Sequence, residues 1–129
     1  MMNPKSFLFI GGIILAAVGI LGFIGVLGPT SENSIFGSAW WFDNVENWAH
    51  LVLGIVALIV RYAMGEMIQK TITLLVGLLA AVATLSGFLA GPYFLGANLQ
   101  NPLDNILHLA VAVWALWSWW AAKKMMGAM

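Results

Sequence analysis

Four residues whose side chains can ligate metal ions or haem form two matched pairs in this sequence. Glu46 precedes His50 by four residues, and Asp104 precedes His108 by four. Two imidazoles can ligate one haem iron axially, and two imidazoles with two carboxylates can form a metal site. Di-iron bundles usually space their Glu and His three residues apart, so the spacing of four argues against a di-iron site.

The two pairs lie in a repeated segment. ENWAHL at 46–51 aligns with DNILHL at 104–109, an offset of 58 residues, and an asparagine stands three residues before each histidine. Upstream, Val18-Gly19 aligns with Val76-Gly77 at the same offset. This pattern predicts one domain, 1–129, made of two helical hairpins at about 7–63 and 71–122. Both hairpins would have the same orientation, so their twofold axis would run along the membrane normal.

Helix-start chemistry offers another explanation for the acids. Asp43 and Glu46 are three residues apart, as are Asn101 and Asp104, which is the spacing of a capping box. Pro102 would occupy the first helical position, where its missing N–H costs nothing. Capping leaves the histidines unexplained. A histidine in an apolar helix needs a partner, and the acid one turn back is the nearest candidate.

The composition predicts a membrane protein. Hydrophobic residues make up 62% of the 129 positions and charged residues 8%. There is no cysteine for a disulfide or thiolate site and no basic patch for nucleic acid. About 20 apolar residues span a bilayer, and four segments approach that length: 7–28, 47–63, 71–91 and 105–122. We therefore expect an all-α, four-helix transmembrane bundle.

The charges predict the orientation of this bundle. The five basic residues fall at one end of the predicted helices: Lys5, Arg61, Lys70, Lys123 and Lys124. Four of the five acids fall at the other end. The positive-inside rule then places both termini in the cytoplasm and the loops 29–45 and 92–103 outside.

Small and aromatic residues fit the same architecture. Gly12 and Ala16 are four apart, a spacing that lets membrane helices approach closely. The tryptophans group near the two predicted membrane boundaries, as in aromatic belts: Trp40, Trp41 and Trp48 at one, and Trp114, Trp117, Trp119 and Trp120 at the other.

The chain resembles a family of small bacterial four-helix membrane proteins catalogued as domain of unknown function 4383. The stretches NWAHLVLG at 47–54 and DNILHL at 104–109 carry the resemblance, which covers nearly the whole chain. Ala112 stands where the second motif often has glycine. The resemblance implies the four-helix fold and a bacterial inner membrane, and it implies no particular activity.

Two classes of function follow from these features. The first is a non-catalytic membrane protein, a structural or accessory subunit that contacts the bilayer, further copies of itself or a larger complex. In the second, His50, His108, Glu46 and Asp104 bind a haem, a chlorophyll-type pigment or a metal ion near the outer face. We see no catalytic constellation beyond these four residues, so an enzyme is the third choice.

Overall fold

The computed structural model describes residues 3–89, 93–94, 97–98 and 103–128. Its α-helices are α1 Pro4–Phe23, α2 Asn44–Ala63, α3 Glu66–Leu89 and α4 Leu103–Ala128. Two short 3₁₀ turns lie between α1 and α2: Ser31–Asn33 and Gly37–Ala39. Strand β1, Tyr93–Phe94, pairs antiparallel with β2, Ala97–Asn98. Apart from these two-residue strands, the expected all-helical class is confirmed.

All four helices contain a stretch that is long and apolar enough to cross a membrane. The stretches are Pro4–Phe23, Asn44–Ala63, Glu66–Leu89 and Asp104–Ala122. Helix α1 ends five residues before the predicted boundary, because Gly25 adopts a left-handed backbone with a φ of 88°. Helix α3 begins earlier than predicted, since only Met64 and Gly65 separate it from α2.

Local hydrogen bonds explain where the first two helices begin and end. Asn3 Oδ1 accepts from Ser6 N at 2.8 Å, and Pro4 takes the first helical position. At the end of α2, Gln69 Nε2 donates to the carbonyls of Arg61 and Met64, both at 3.1 Å. Two of the carbonyls left open by the helix end are thereby satisfied.

The helices pair as two antiparallel hairpins, α1 with α2 and α3 with α4, and the hairpins contact each other less closely. A Cβ added to Gly54 would lie 2.7 Å from Gly12 O and 2.5 Å from Ala16 N. In the second hairpin, a Cβ on Gly77 would lie 3.1 Å from the Cβ of Ala115. The close packing expected at Gly12 and Ala16 is confirmed.

Burial repeats between the hairpins, but in two different registers. At the offset of 58, five pairs in α2 and α4 are buried in both copies: 46/104, 47/105, 54/112, 57/115 and 60/118. In α1 and α3 the matching offset is 65, at 4/69, 8/73, 12/77, 19/84 and 22/87. The predicted alignment of Gly19 with Gly77 is therefore wrong, and Gly12 is the counterpart of Gly77. The physical reason is that 20 residues join α1 to α2, whereas 13 join α3 to α4.

One aromatic contact joins the two hairpins in the core. The rings of Phe7 and Trp114 meet edge to face, with centroids 4.7 Å apart. Trp114 thus packs inside the bundle, where the sequence had placed it in an aromatic belt. Trp117 and Trp120 remain about half exposed, as belt residues would be.

Candidate functional site

The acid-capped start of α2 forms as the sequence predicts. Asp43 Oδ1 accepts from Glu46 N at 2.9 Å, and Glu46 Oε1 accepts from Asp43 N at 3.5 Å, which completes a capping box. The predicted second box includes Asn101 and Pro102, which lie outside the described residues. Asp104 stands in the first turn of α4.

Glu46 and Asp104 come together between the two hairpins. They are 3% and 2% exposed, and their carboxyl groups lie near enough to influence each other electrostatically. Two adjacent carboxylates repel each other strongly away from water, so this arrangement is costly when both are charged. Glu32 is not part of this buried pair, because it lies fully exposed in the connection between α1 and α2. Hydrogen bonds from its own backbone and from the Thr30 side chain lower its pKa.

Trp40 supplies the polar bond to this acid pair. Its Nε1 donates to Asp104 Oδ1 at 2.9 Å, from the connection of the first hairpin to the first turn of α4. The starts of α2 and α4 therefore lie at the same end of the bundle. The sequence did not predict this role, because Trp40 also fits an aromatic belt.

The connection that carries Trp40 is folded against the helices. Phe42 N donates to Leu27 O at 2.7 Å, and Ser34 Oγ donates to Trp40 O at 2.6 Å. Leu27 and Phe42 are each 4% exposed. The backbone on both sides of Trp40 is thus held in place, which positions its indole toward Asp104.

The two histidines lie one turn further along their helices, partly buried. The Phe42 ring packs edge to face on His50, with the ring centroids 5.0 Å apart. The Nδ1 atoms of His50 and His108 have no hydrogen-bond partner among the described residues. The predicted pairing of each histidine with the acid one turn back is therefore not made through Nδ1.

The asparagines of the repeated motif are more deeply buried than its histidines. Asn47 is 0% exposed and Asn105 is 1% exposed. Each amide packs on a glycine of the neighbouring helix, Asn47 on Gly22 and Asn105 on Gly87, where an added Cβ would collide with it. These twin contacts hold each hairpin together near the end that carries Glu46 or Asp104. The sequence indicates this shared role, because an asparagine stands three residues before each histidine.

The four predicted ligands, Glu46, His50, Asp104 and His108, all lie among the described residues. Among the described residues, which include all four, no group of three or more histidine, aspartate and glutamate side chains could hold a metal ion. The structure also contains an apolar cavity, but its lining includes none of these four residues. Capping and the bond from Trp40 use one oxygen each of Glu46 and Asp104, whereas Glu46 Oε2 and both histidine Nδ1 atoms have no hydrogen-bond partner among the described residues.

Fold and site together define a four-helix protein whose helices could cross a membrane, with a polar cluster between its two hairpins at one end. No protein-family model, curated protein or solved structure matches the chain. The function is therefore argued from the geometry.

Proposed function

We propose that this protein is a non-catalytic integral membrane protein that serves as a structural or accessory subunit of a membrane assembly. The observation that carries the proposal is the bond from Trp40 to Asp104, which uses one of the four candidate ligands to join the hairpins. Glu46 is likewise used, in the capping box of α2. A buried polar cluster whose members cap one helix and join the two hairpins specifies the helix arrangement.

The helix surfaces support the membrane location. Large apolar side chains are exposed on every helix, for example Ile14 at 51%, Ile55 at 47%, Leu85 at 59% and Val113 at 56%. Lipid is the solvent that such surfaces suit. By the positive-inside rule and the resemblance given above, we place the protein in a bacterial inner membrane with both termini in the cytoplasm.

Two measurements test this proposal. Extraction of membranes with alkaline carbonate should leave the protein in the pellet, as expected of an integral protein. Mild-detergent extracts separated by native electrophoresis should then contain it in a complex larger than the 13.9 kDa chain in its detergent micelle. A monodisperse single chain, recovered without partners from its native membrane, would contradict the subunit role.

The unpartnered Nδ1 atoms of His50 and His108 favour a second candidate function. In this alternative the two imidazoles bind a haem, a chlorophyll-type pigment or a metal ion, and the helices around them would have to separate to admit it. A visible absorption spectrum and metal analysis of the protein purified from its native membrane distinguish the two functions. A colourless, metal-free protein supports the structural subunit.

A further inference from the structure

An apolar cavity of about 120 Å³ lies between the two hairpins. All four helices line it, and every lining residue is apolar or glycine; the residues that matter here are Phe7, Gly11, Ala57, Val76 and Trp114. Cavities of this size and character stay dry and bind apolar guests. In a bilayer, the apolar groups that reach a partly open cavity between helices are lipid acyl chains.

The cavity lies toward the basic end of the bundle. Phe7 is three residues from the start of α1, and Ala57 is six residues from the end of α2. Arg61 follows Ala57 by one helical turn, about 6 Å further toward that end. The Phe9 ring beside the Arg61 guanidinium belongs to the turn of α1 that also contributes Leu8 and Gly11 to the cavity.

Arg61 is held in place by aromatic rings and has no anionic partner among the described residues. Its guanidinium carbon lies 4.6 Å from the centroid of the Tyr62 ring and 5.7 Å from that of Phe9. Its Nε is buried without a hydrogen-bond partner among the described residues, and no described carboxylate forms an ion pair with it. A guanidinium fixed in this way can bind a phosphate through two parallel N–H···O bonds.

We propose that this end of the protein binds an anionic phospholipid, with its phosphate on Arg61 and part of one acyl chain in the cavity. Charge complementarity selects the anionic headgroup, because Arg61 and Lys70 share this end with a single acid, Glu66, whereas Asp43, Glu46 and Asp104 lie at the other end. This inference rests on the membrane location proposed above. The protein would retain this phospholipid when the protein is extracted from the bilayer.

Native mass spectrometry of the detergent-purified protein, titrated with phosphatidylglycerol or phosphatidylcholine, tests the proposal. The protein should retain phosphatidylglycerol in preference to phosphatidylcholine. Arg61→Gln should weaken phosphatidylglycerol binding about tenfold, the loss expected when a charge-assisted hydrogen bond is removed. Lys5→Gln removes an exposed charge from the same end and should change binding little, which makes it the matched control.

A second variant tests the cavity separately. A Cβ on Gly11 would lie 3.9 Å from the rings of Phe7 and Trp114, which is ordinary contact, so a longer side chain there extends into the cavity without displacing a backbone. Gly11→Leu should stay folded, resist alkaline extraction as the wild type does, and lose most of its retained phosphatidylglycerol.

The outcomes separate the parts of the proposal. Equal retention of both lipids, or unchanged binding in Arg61→Gln, overturns the headgroup site. Unchanged binding in Gly11→Leu, or full competition by soluble glycerol phosphate, overturns the acyl-chain site. If alkaline carbonate removes the protein from membranes, the membrane location itself is refuted. This extraction is carried out before any lipid is added, so its failure is distinguished from a failure of the lipid site.

Discussion

Trp40 and Asp104 are 64 residues apart in the chain, and a 2.9 Å hydrogen bond joins them. The bond runs from the first connection to the start of α4, so it ties together two hairpins that otherwise contact each other less closely than their own helices do. Asp104 is 2% exposed, and the buried carboxyl of Glu46 lies near enough to influence it electrostatically. Removing a donor from so buried an acid leaves it with one hydrogen bond fewer and no water to replace it.

Trp40→Phe is therefore expected to destabilise the protein. Phenylalanine keeps an aromatic ring between Phe36 and Phe42, whose centroids lie 5.3 and 5.1 Å from that of Trp40, but it cannot donate to Asp104. The expected loss is about 1.5–3 kcal/mol, as for a hydrogen bond to a charged group. Thermal unfolding in detergent, followed by circular dichroism, measures it.

Trp48→Phe is the control for this change. Trp48 is 60% exposed and packs edge to face on Phe23 of its own hairpin at 5.0 Å. Its replacement should alter stability much less. Equal unfolding temperatures for the two variants would show that the Trp40 bond does not join the hairpins in solution.

The glycines beneath the buried asparagines give a second prediction. Gly22→Ala and Gly87→Ala each place a methyl group where the amide of Asn47 or Asn105 lies. Overpacking of this kind costs about 1–3 kcal/mol, and the buried amide has no open space into which it can move. Each variant should unfold at a lower temperature than the wild type.

A rescue and a control make this prediction sharper. Gly22→Ala combined with Asn47→Ala removes the collision, so the double variant should be more stable than the sum of the two single changes predicts. Gly11→Ala changes another helical glycine without a clash and should be neutral or stabilising by up to about 1 kcal/mol. Additive losses in the double variant would refute the proposed contact.

The sequence was sufficient for the elements that depend on local chemistry. The apolar spans predicted the four helices, and the spacing of Asp43 and Glu46 predicted the capping box. It also identified the offset that relates α2 to α4, because the polar motif at their starts admits one alignment. These features follow from neighbouring residues and from the length that a membrane requires.

The features that the sequence did not reveal depend on the relative placement of helices. Glycines recur every three residues at 19, 22, 25 and 28, in the last turn of α1 and just after it, so the sequence allows several alignments with α3. Only packing selects Gly22 as the residue that contacts Asn47. The partner of Trp40 lies in the other hairpin, and tryptophan near a helix end also fits a membrane interface. Neither contact leaves a pattern along the chain.

The orientation gives a third prediction. Alkaline phosphatase fused after Met129 should be inactive, and the same reporter inserted at Gly37 should be active, because it folds only outside the cytoplasm. Gly37 suits an insertion, since it lies in the first connection and no atom stands within 4 Å of its missing Cβ. A reversed pattern of activity would place the basic end outside and refute the proposed orientation.

The histidines give the last prediction. If their role is structural, His50→Gln and His108→Gln should both yield folded protein that is as colourless and metal-free as the wild type. The loss of stability should be modest, about 1 kcal/mol for His50, because its ring contact with Phe42 is weakened while glutamine still fills part of the space. Visible spectra, metal analysis and thermal unfolding of the three proteins measure these quantities together.

If the histidines are ligands, the wild type should instead carry stoichiometric haem, pigment or metal. Either single change should then remove it, and the double change should do little more. A bound chromophore lost in His50→Ala would therefore reverse the assignment in favour of the ligand-binding function.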